Sequence, residues 1–386
     1  MPANAVFHPF DPNRIPLEQQ YRTWSQQVQP PYNKDTVDPF TRTRVILMNG
    51  IENDSWFFLH QWYRHTADDK LRGKIAELRR VESQQQTTAD WLNPADQSII
   101  ETTIAYEQVA VELTANLAKN EPNPYAKKVL DFALIEDFDH LFRYAHLMQM
   151  LEGRSADTIV KGQTEIAEGR PTAEEHRHPL DMLRRPIDTA KADIKTRLNS
   201  QTIIAGEQQT YLYYKTHGMM YGHDLARKLY AEIAEIEEEH VTQYESVPDP
   251  SQTWLERAAL KQVNEAYNYF SCWQTETDPR IKALWEQFYR MELEHIQQIG
   301  QLLQQYEGKD IRAMFPADIS PLVVFESNKD YVRDIVKAQR DLQPFHMDFV
   351  PREQLPPDWA SYRYAEIVNR EGVPSQQVVE RVPQPL

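Results

Sequence analysis

The sequence holds one cysteine, Cys272, among 386 residues, which excludes an internal disulfide and any cysteine-rich iron or zinc site. No apolar run approaches the roughly 20 residues that a membrane span needs. The opening stretch, Met1 to Asn13, lacks the basic start and apolar run of a secretory signal. Positive charge is also scarce: 42 Lys and Arg face 58 Asp and Glu, a net charge of −16. That balance disfavours nucleic acid and anionic membrane surfaces as partners. Together these absences lead to the expectation of a cytoplasmic protein with no membrane span. With 41% hydrophobic residues and a mean hydropathy of −0.68, the chain should fold around two domain-sized cores or one large one.

Glycine is sparse as well, 11 against 25 prolines, so the prolines should sit in arms and connections. Residues 1–43 carry Pro2, Pro9, Pro12, Pro16, Pro30, Pro31 and Pro39 and read as an extended arm. A helical pattern covers 44–152, interrupted at Asn93-Pro94 and at Glu121 to Pro124. Residues 153–199, broken by Gly162, Gly169, Pro171, Pro179 and Pro186, read as a polar linker. Helical pattern returns over 200–307. The remainder, 308–386, is expected to be extended, with one short helix near 328–342.

Within the helical regions a four-part pattern occurs twice. The second region has Glu207, Glu237-x-x-His240, Glu265 and Glu292-x-x-His295, at Glu-to-Glu intervals of 30, 28 and 27. The first has Glu52, Glu82-x-x-Gln85, Glu107 and Asp137-x-x-His140, at intervals of 30, 25 and 30. An interval near 30 allows about 12 residues up a helix, a turn and about 12 back, which at about 1.5 Å per residue returns both side chains to one level. The motifs also point inward. Around Glu292 the helical neighbours are Trp285, Phe288, Tyr289, Ile296 and Ile299; around Glu237 they are Tyr230, Ile233, Ala234, Val241 and Tyr244; around Asp137 they are Leu130, Ala133, Leu134, Leu141 and Tyr144.

The i, i+3 spacing puts carboxylate and imidazole on one helix face, and this donor mixture suits Fe(II) and Mn(II). Four clustered buried carboxylates with no cation would be protonated or severely destabilising. The expected fold is therefore all-α, with two tandem four-helix bundles at 44–152 and 200–307. The second should bind two metal ions through Glu207, Glu237, His240, Glu265, Glu292 and His295. In the first, Gln85 replaces a His and Asp137 has a shorter arm than Glu. Glu52, Glu82, Glu107, Asp137 and His140 form its candidate second metal site, expected to be weaker or empty.

A single Glu-x-x-His is expected about once by chance in a chain this long. Glu175-x-x-His178 is such a case, because Pro171 and Pro179 leave no room for a long helix; His176 is set aside with it. Glu238 and Glu239 read as a solvated face. His60, His65, His146 and His217 lack paired carboxylates and read as packing or polar-face residues. Cys272, seven residues after Glu265 and on the same face, reads as a small core residue, with a place lining the cavity as the alternative. The aromatic residues Tyr211, Tyr214, Tyr267, Tyr269, Tyr289, Trp273 and Trp285 read as packing, with a redox tyrosine as the alternative.

Ala205-Gly206-Glu207-Gln208-Gln209, followed by Ala234-Glu235-Ile236-Glu237-Glu238-Glu239-His240, resembles the first two helices of rubrerythrins and related ferritin-like diiron proteins. The resemblance covers 200–306, and 44–151 more weakly. It implies two ferritin-like bundles, with Glu207 and Glu265 as terminal ligands, Glu237 and Glu292 as bridging ligands, and His240 and His295 as terminal nitrogen ligands. The cofactor would be two Fe ions, or Mn, or mixed Fe/Mn. The chain has no four-cysteine rubredoxin module, and Asn268 stands where rubrerythrins usually carry an extra Glu. The expected function is a dimetal-carboxylate oxidoreductase that activates O2 or peroxide with an external electron donor. The alternatives are a metal-binding, storage or scaffold protein without turnover, and a diiron hydroxylase of an organic substrate. Assembly into a homo-oligomer is compatible with each.

Overall fold

A computed structural model describes residues 5–189 and 191–382. It is mostly helical, about 66%, and one two-stranded antiparallel sheet is present among the described residues. Eight long helices follow in order: α1 Pro39–Arg64, α2 Asp69–Asp90, α3 Ile99–Lys119, α4 Pro124–Glu152, α5 Ile194–His217, α6 Asp224–Glu245, α7 Trp254–Thr275 and α8 Pro279–Glu307. Their starts are written in the sequence. Asp38, Asn123 and Asp278 cap α1, α4 and α8 just ahead of a proline at the first helical position. Ser98 with Glu101, and Thr253 with Glu256, form capping boxes on α3 and α7. Short turns join α1 to α2, α3 to α4, α5 to α6 and α7 to α8, giving four consecutive hairpins.

The hairpins do not associate in tandem. One compact unit consists of Met1–Ala95, Asp188–Ala205 and Asp249–Phe325; the other of Asp96–Ile187, Gly206–Pro248 and Glu326–Leu386. Unit 1 therefore takes the first and last hairpins with the start of α5 up to Ala205, and unit 2 takes the α3–α4 hairpin with the rest of α5 and α6. This corrects the division at 44–152 and 200–307. The physical reason is that all four hairpins carry an inward polar group at the same level of an apolar stripe. Short turns fix the partners within a hairpin, whereas nothing in the periodicity fixes which hairpins meet.

In unit 1, α1 packs on α2 and α7, and α8 packs on α7 and α2. Ile51, Leu59, Ile75, Leu78, Val263, Trp285, Phe288 and Ile299 are among its buried apolar side chains. The N-terminal arm belongs to this unit. Phe7 exchanges backbone hydrogen bonds with Ile319 (3.1 and 3.0 Å) and packs its ring against Tyr267, Phe270 and Tyr289.

In unit 2, α4 packs on α3 and α6. The second half of α5 stacks Tyr213 on Tyr106 of α3 (4.5 Å between centroids) and sets Tyr214 against Tyr230 of α6 (5.7 Å). Part of the stretch expected as a linker, 153–187, belongs to this unit and sends side chains into its interior: Arg170, Glu175 and Arg177 are fully buried. Gly169 permits it, since a Cβ there would stand 2.2 Å from the carbonyl oxygen of Ile135 on α4. The C-terminal region is also more ordered than expected. It holds α9 Lys329–Gln339, the hairpin of β1 Leu342–Phe345 and β2 Asp348–Pro351, α10 Ala360–Val368 and α11 Pro374–Arg381. Val332 of α9 joins a buried cluster with Val111, Ala115, Leu134 and Phe138.

Candidate metal centres

Unit 2 brings together Glu107 from α3, Asp137 and His140 from α4, Glu207 from α5, and Glu237 and His240 from α6. All six are essentially without solvent exposure. Their donor atoms form two groups, each within 4.8 Å: Asp137, Glu207, Glu237 and His240, and separately Glu107, His140 and Glu237. Glu237 belongs to both. The Nδ1 of His140 lies 3.0 Å from Glu237 Oε1. The Nδ1 of His240 faces Asp137 Oδ1, Glu237 Oε2 and Glu207 Oε2 at 3.3, 3.4 and 3.6 Å, yet makes a hydrogen bond with none of them. The two rings stack 5.9 Å apart at 24°.

The opposite nitrogens are anchored. His140 Nε2 lies 2.9 Å from Glu175 Oε2, and His240 Nε2 lies 2.9 Å from Glu136 Oε2. Glu136 in turn accepts from Arg170 and Arg177, each at 2.5 Å. Tyr214 donates its hydroxyl to Glu107 Oε1 at 2.5 Å.

The donor set fits a cation on a direct test. Glu107 Oε2, both oxygens of Asp137 and of Glu207, Glu237 Oε2 and His240 Nδ1 are buried without a hydrogen-bond partner, an arrangement that costs free energy at every atom. The electrostatics agree. Burial, with Glu237 beside Glu107 and Asp137 beside Glu207, pushes the Glu107 and Glu207 carboxyls well above the ordinary range. Burial raises Asp137 too. Burial opposes charge on His140 and His240, but the surrounding carboxylates hold both well above the usual imidazole range. Burial alone would also raise Glu237; the two imidazoles beside it, His140 by a hydrogen bond and His240 close by, bring it below.

Unit 1 brings together Glu52 from α1, Glu82 and Gln85 from α2, Glu265 from α7, and Glu292 and His295 from α8. Here one donor group within 4.8 Å is found, Glu82, Glu292 and His295. His295 Nδ1 lies 3.0 Å from Glu292 Oε2 and 3.1 Å from Glu82 Oε1, and its Nε2 lies 2.7 Å from Gln20 Oε1. Burial opposes charge on His295, but Glu292 and Glu82 carry it up to about 10. Burial, reinforced by Glu82 and Glu292, pushes Glu52 and Glu265 well above the ordinary range.

The expected ligands are thus all in the interior, but grouped differently. Glu207, Glu237 and His240 stand with Glu107, Asp137 and His140, while Glu265, Glu292 and His295 stand with Glu52 and Glu82. The set of six from the second half is divided between the units. Several supporting residues were not foreseen. Glu175, set aside as chance, holds His140, although no helix runs through 175–178. Glu136 sits directly before Asp137, and its role could be read only from its two arginines. Gln20 lies in the arm. Glu239, expected on a solvated face, is buried and accepts the Arg177 backbone N–H at 3.2 Å. The amide nitrogen of Asn268 donates to Thr202 Oγ1 and the Asn264 carbonyl. His60 packs on Trp56 and His65 stacks on Trp254, His146 and His217 bond carbonyls one turn back, and Cys272 is buried.

A cavity of about 320 Å³ in unit 2 is lined by His176, Glu232, Tyr364 and Gln377 among others, and by none of the candidate ligands. No helix among the described residues is long and apolar enough to cross a membrane. Set against models of known protein families, curated proteins and solved structures, the chain matches none.

Proposed function

We propose that unit 2 is a ferritin-like dimetal-carboxylate centre and that the chain is an oxidoreductase acting on O2 or peroxide with electrons from an external donor. The observation that carries this reading is the sharing of Glu237 between two donor groups. One carboxylate within reach of both positions is what a pair of cations a few ångströms apart requires. Two iron ions, or manganese, or one of each, would supply the electrons and the open coordination positions for the oxidant.

The chain's own residues have separable tasks. Glu237 would bridge; Asp137, Glu207 and His240 would hold one ion, and Glu107 and His140 the other. Glu136 and Glu175 accept the Nε2 protons of the two imidazoles, fixing the tautomer that turns each Nδ1 inward. Tyr214 occupies one oxygen of Glu107 and leaves the other free. The buried setting excludes bulk water and strengthens each of these interactions. With Cys272 the chain's one cysteine, no cysteine cluster can relay electrons, so reducing equivalents would have to come from outside.

The test is rapid mixing of reduced, iron-loaded protein with O2 or peroxide. A fast absorption change that occurs once without a donor, and is lost in Glu237→Ala, is expected. Reduced protein inert to both oxidants over minutes would replace this reading with metal storage or a scaffold.

A further inference from the structure

We propose that unit 1 holds one divalent cation, on Glu82, Glu292 and His295, and that Gln85 occupies the place where a second would sit. The count of three ions per chain rests on the dimetal reading of unit 2; the single site in unit 1 does not.

The two units can be matched residue by residue. Gln85 follows Glu82 by three positions, as His140 follows Asp137. Glu52 and Glu292 correspond to Glu107 and Glu237. In unit 2 those positions, Glu107, His140 and Glu237, form the second donor group. In unit 1 the Gln85 amide donates to Glu52 Oε1 at 3.3 Å and to Glu292 Oε1 at 2.6 Å. Its NH2 thus joins the two carboxylates that a second cation would join. The orientation follows from charge, because the reversed amide would press its carbonyl oxygen against two carboxylates. Tyr269 also donates to Glu52 Oε1 at 2.5 Å, and Gln262 donates to Glu82 Oε1 at 3.1 Å and Glu265 Oε2 at 2.9 Å. Neutral side chains therefore do in unit 1 part of what a second metal does in unit 2.

Gln85 and Tyr269 satisfy one oxygen of Glu52 and leave its Oε2 unpartnered, whereas among the described residues no neutral donor stands between Glu82, Glu292 and His295. Glu82 is fully buried and its Oε2 has no partner. The state of His295 follows from Gln20, whose amide nitrogen is committed to the carbonyls of Ile15 (2.7 Å) and Met291 (3.3 Å). Only the Gln20 oxygen is left to face His295, so Nε2 must carry a proton. His295 Nδ1 then faces two carboxylate oxygens at 3.0 and 3.1 Å, a position filled by the Nδ1 proton in metal-free protein and open to a cation that displaces it. Two carboxylates and one imidazole balance the charge of a divalent first-row ion such as Mn(II) or Fe(II). That ion would tie α2 to α8.

The experiment loads metal-free protein with Mn(II), removes the excess and counts bound metal. Three ions per chain are expected in the wild type, two in His295→Ala and four in Gln85→His, where an imidazole replaces the bridging amide. A wild type that loses two ions on His295→Ala, or none, overturns the single site; a Gln85→His count equal to wild type overturns the role given to Gln85. If only unit 2 has been misread, the wild-type count changes while His295→Ala still loses one ion. Should His295→Ala fail to fold, anomalous scattering at the manganese edge from wild-type crystals decides the matter. One peak among Glu82, Glu292 and His295 supports the proposal, and two peaks or none refutes it.

Discussion

Glu136 is the clearest place to perturb unit 2, because it holds an imidazole with one oxygen and two guanidinium groups with the other. Burial alone would raise its carboxyl, but Arg177 and Arg170 overcome that and hold it well below the ordinary range. Glu136→Gln keeps the shape and removes the charge. Both arginines keep other acceptors, Arg170 the carbonyls of Phe132 (2.8 Å) and Gln339 (3.0 Å), and Arg177 the side chain of Gln343 (3.0 Å). The loss is therefore mainly that of leaving two buried cations without their anion. Removing one partner of a buried ion pair costs about 3–5 kcal/mol, and the surviving acceptors place this case near about 3. At about 2–4 °C per kcal/mol for a domain of this size, the midpoint should fall by about 10 °C in metal-free protein followed by circular dichroism. The pH dependence has a definite sign. A carboxyl with a depressed folded-state pKa contributes stability that is present above the unfolded value of about 4.3 and is lost as pH falls from there toward the folded value. The gap between wild type and variant should be full at neutral pH and close in acid. A loss below about 1 kcal/mol at neutral pH would refute the assignment of Glu136 as the counter-charge to both arginines.

Two further substitutions bear on the same unit. Glu175→Gln weakens the anchor on His140 and should lower metal affinity in unit 2 about 10-fold or more, read by competition against a chelator, while the unit 1 site is unaffected. Gly169→Ala forces a Cβ into the Ile135 carbonyl and displaces the segment bearing Arg170, Glu175 and Arg177. It should destabilise unit 2 by about 1–3 kcal/mol and weaken its metal binding, and normal stability on urea titration would count against the close approach.

Much of this architecture is legible in the sequence, and the reason is periodic. Helix stripes, proline starts and capping boxes mark the hairpins, and the recurrence of an acidic residue at similar intervals marks the level at which polar groups enter the core. The pairing of hairpins is not legible. Glu207 could meet Glu265 or Glu107 with equal regularity, and only the association of the inner hairpins places it with Glu107. The anchors escape for another reason. Glu175 and Arg177 lie on an irregular stretch whose burial depends on Gly169 and on side chains far away in sequence, and Gln20 lies in an arm with no helical period. The C-terminal helices α10 and α11 are too short to stand out from the prolines around them.

The central claim is that the inner hairpins build a two-metal centre around Glu237. Anomalous diffraction from crystals loaded with Fe(II) or Mn(II) tests it most directly. Two peaks are expected in unit 2 flanking Glu237, one among Asp137, Glu207 and His240 and the other beside Glu107 and His140. A single peak there, or none, would contradict it.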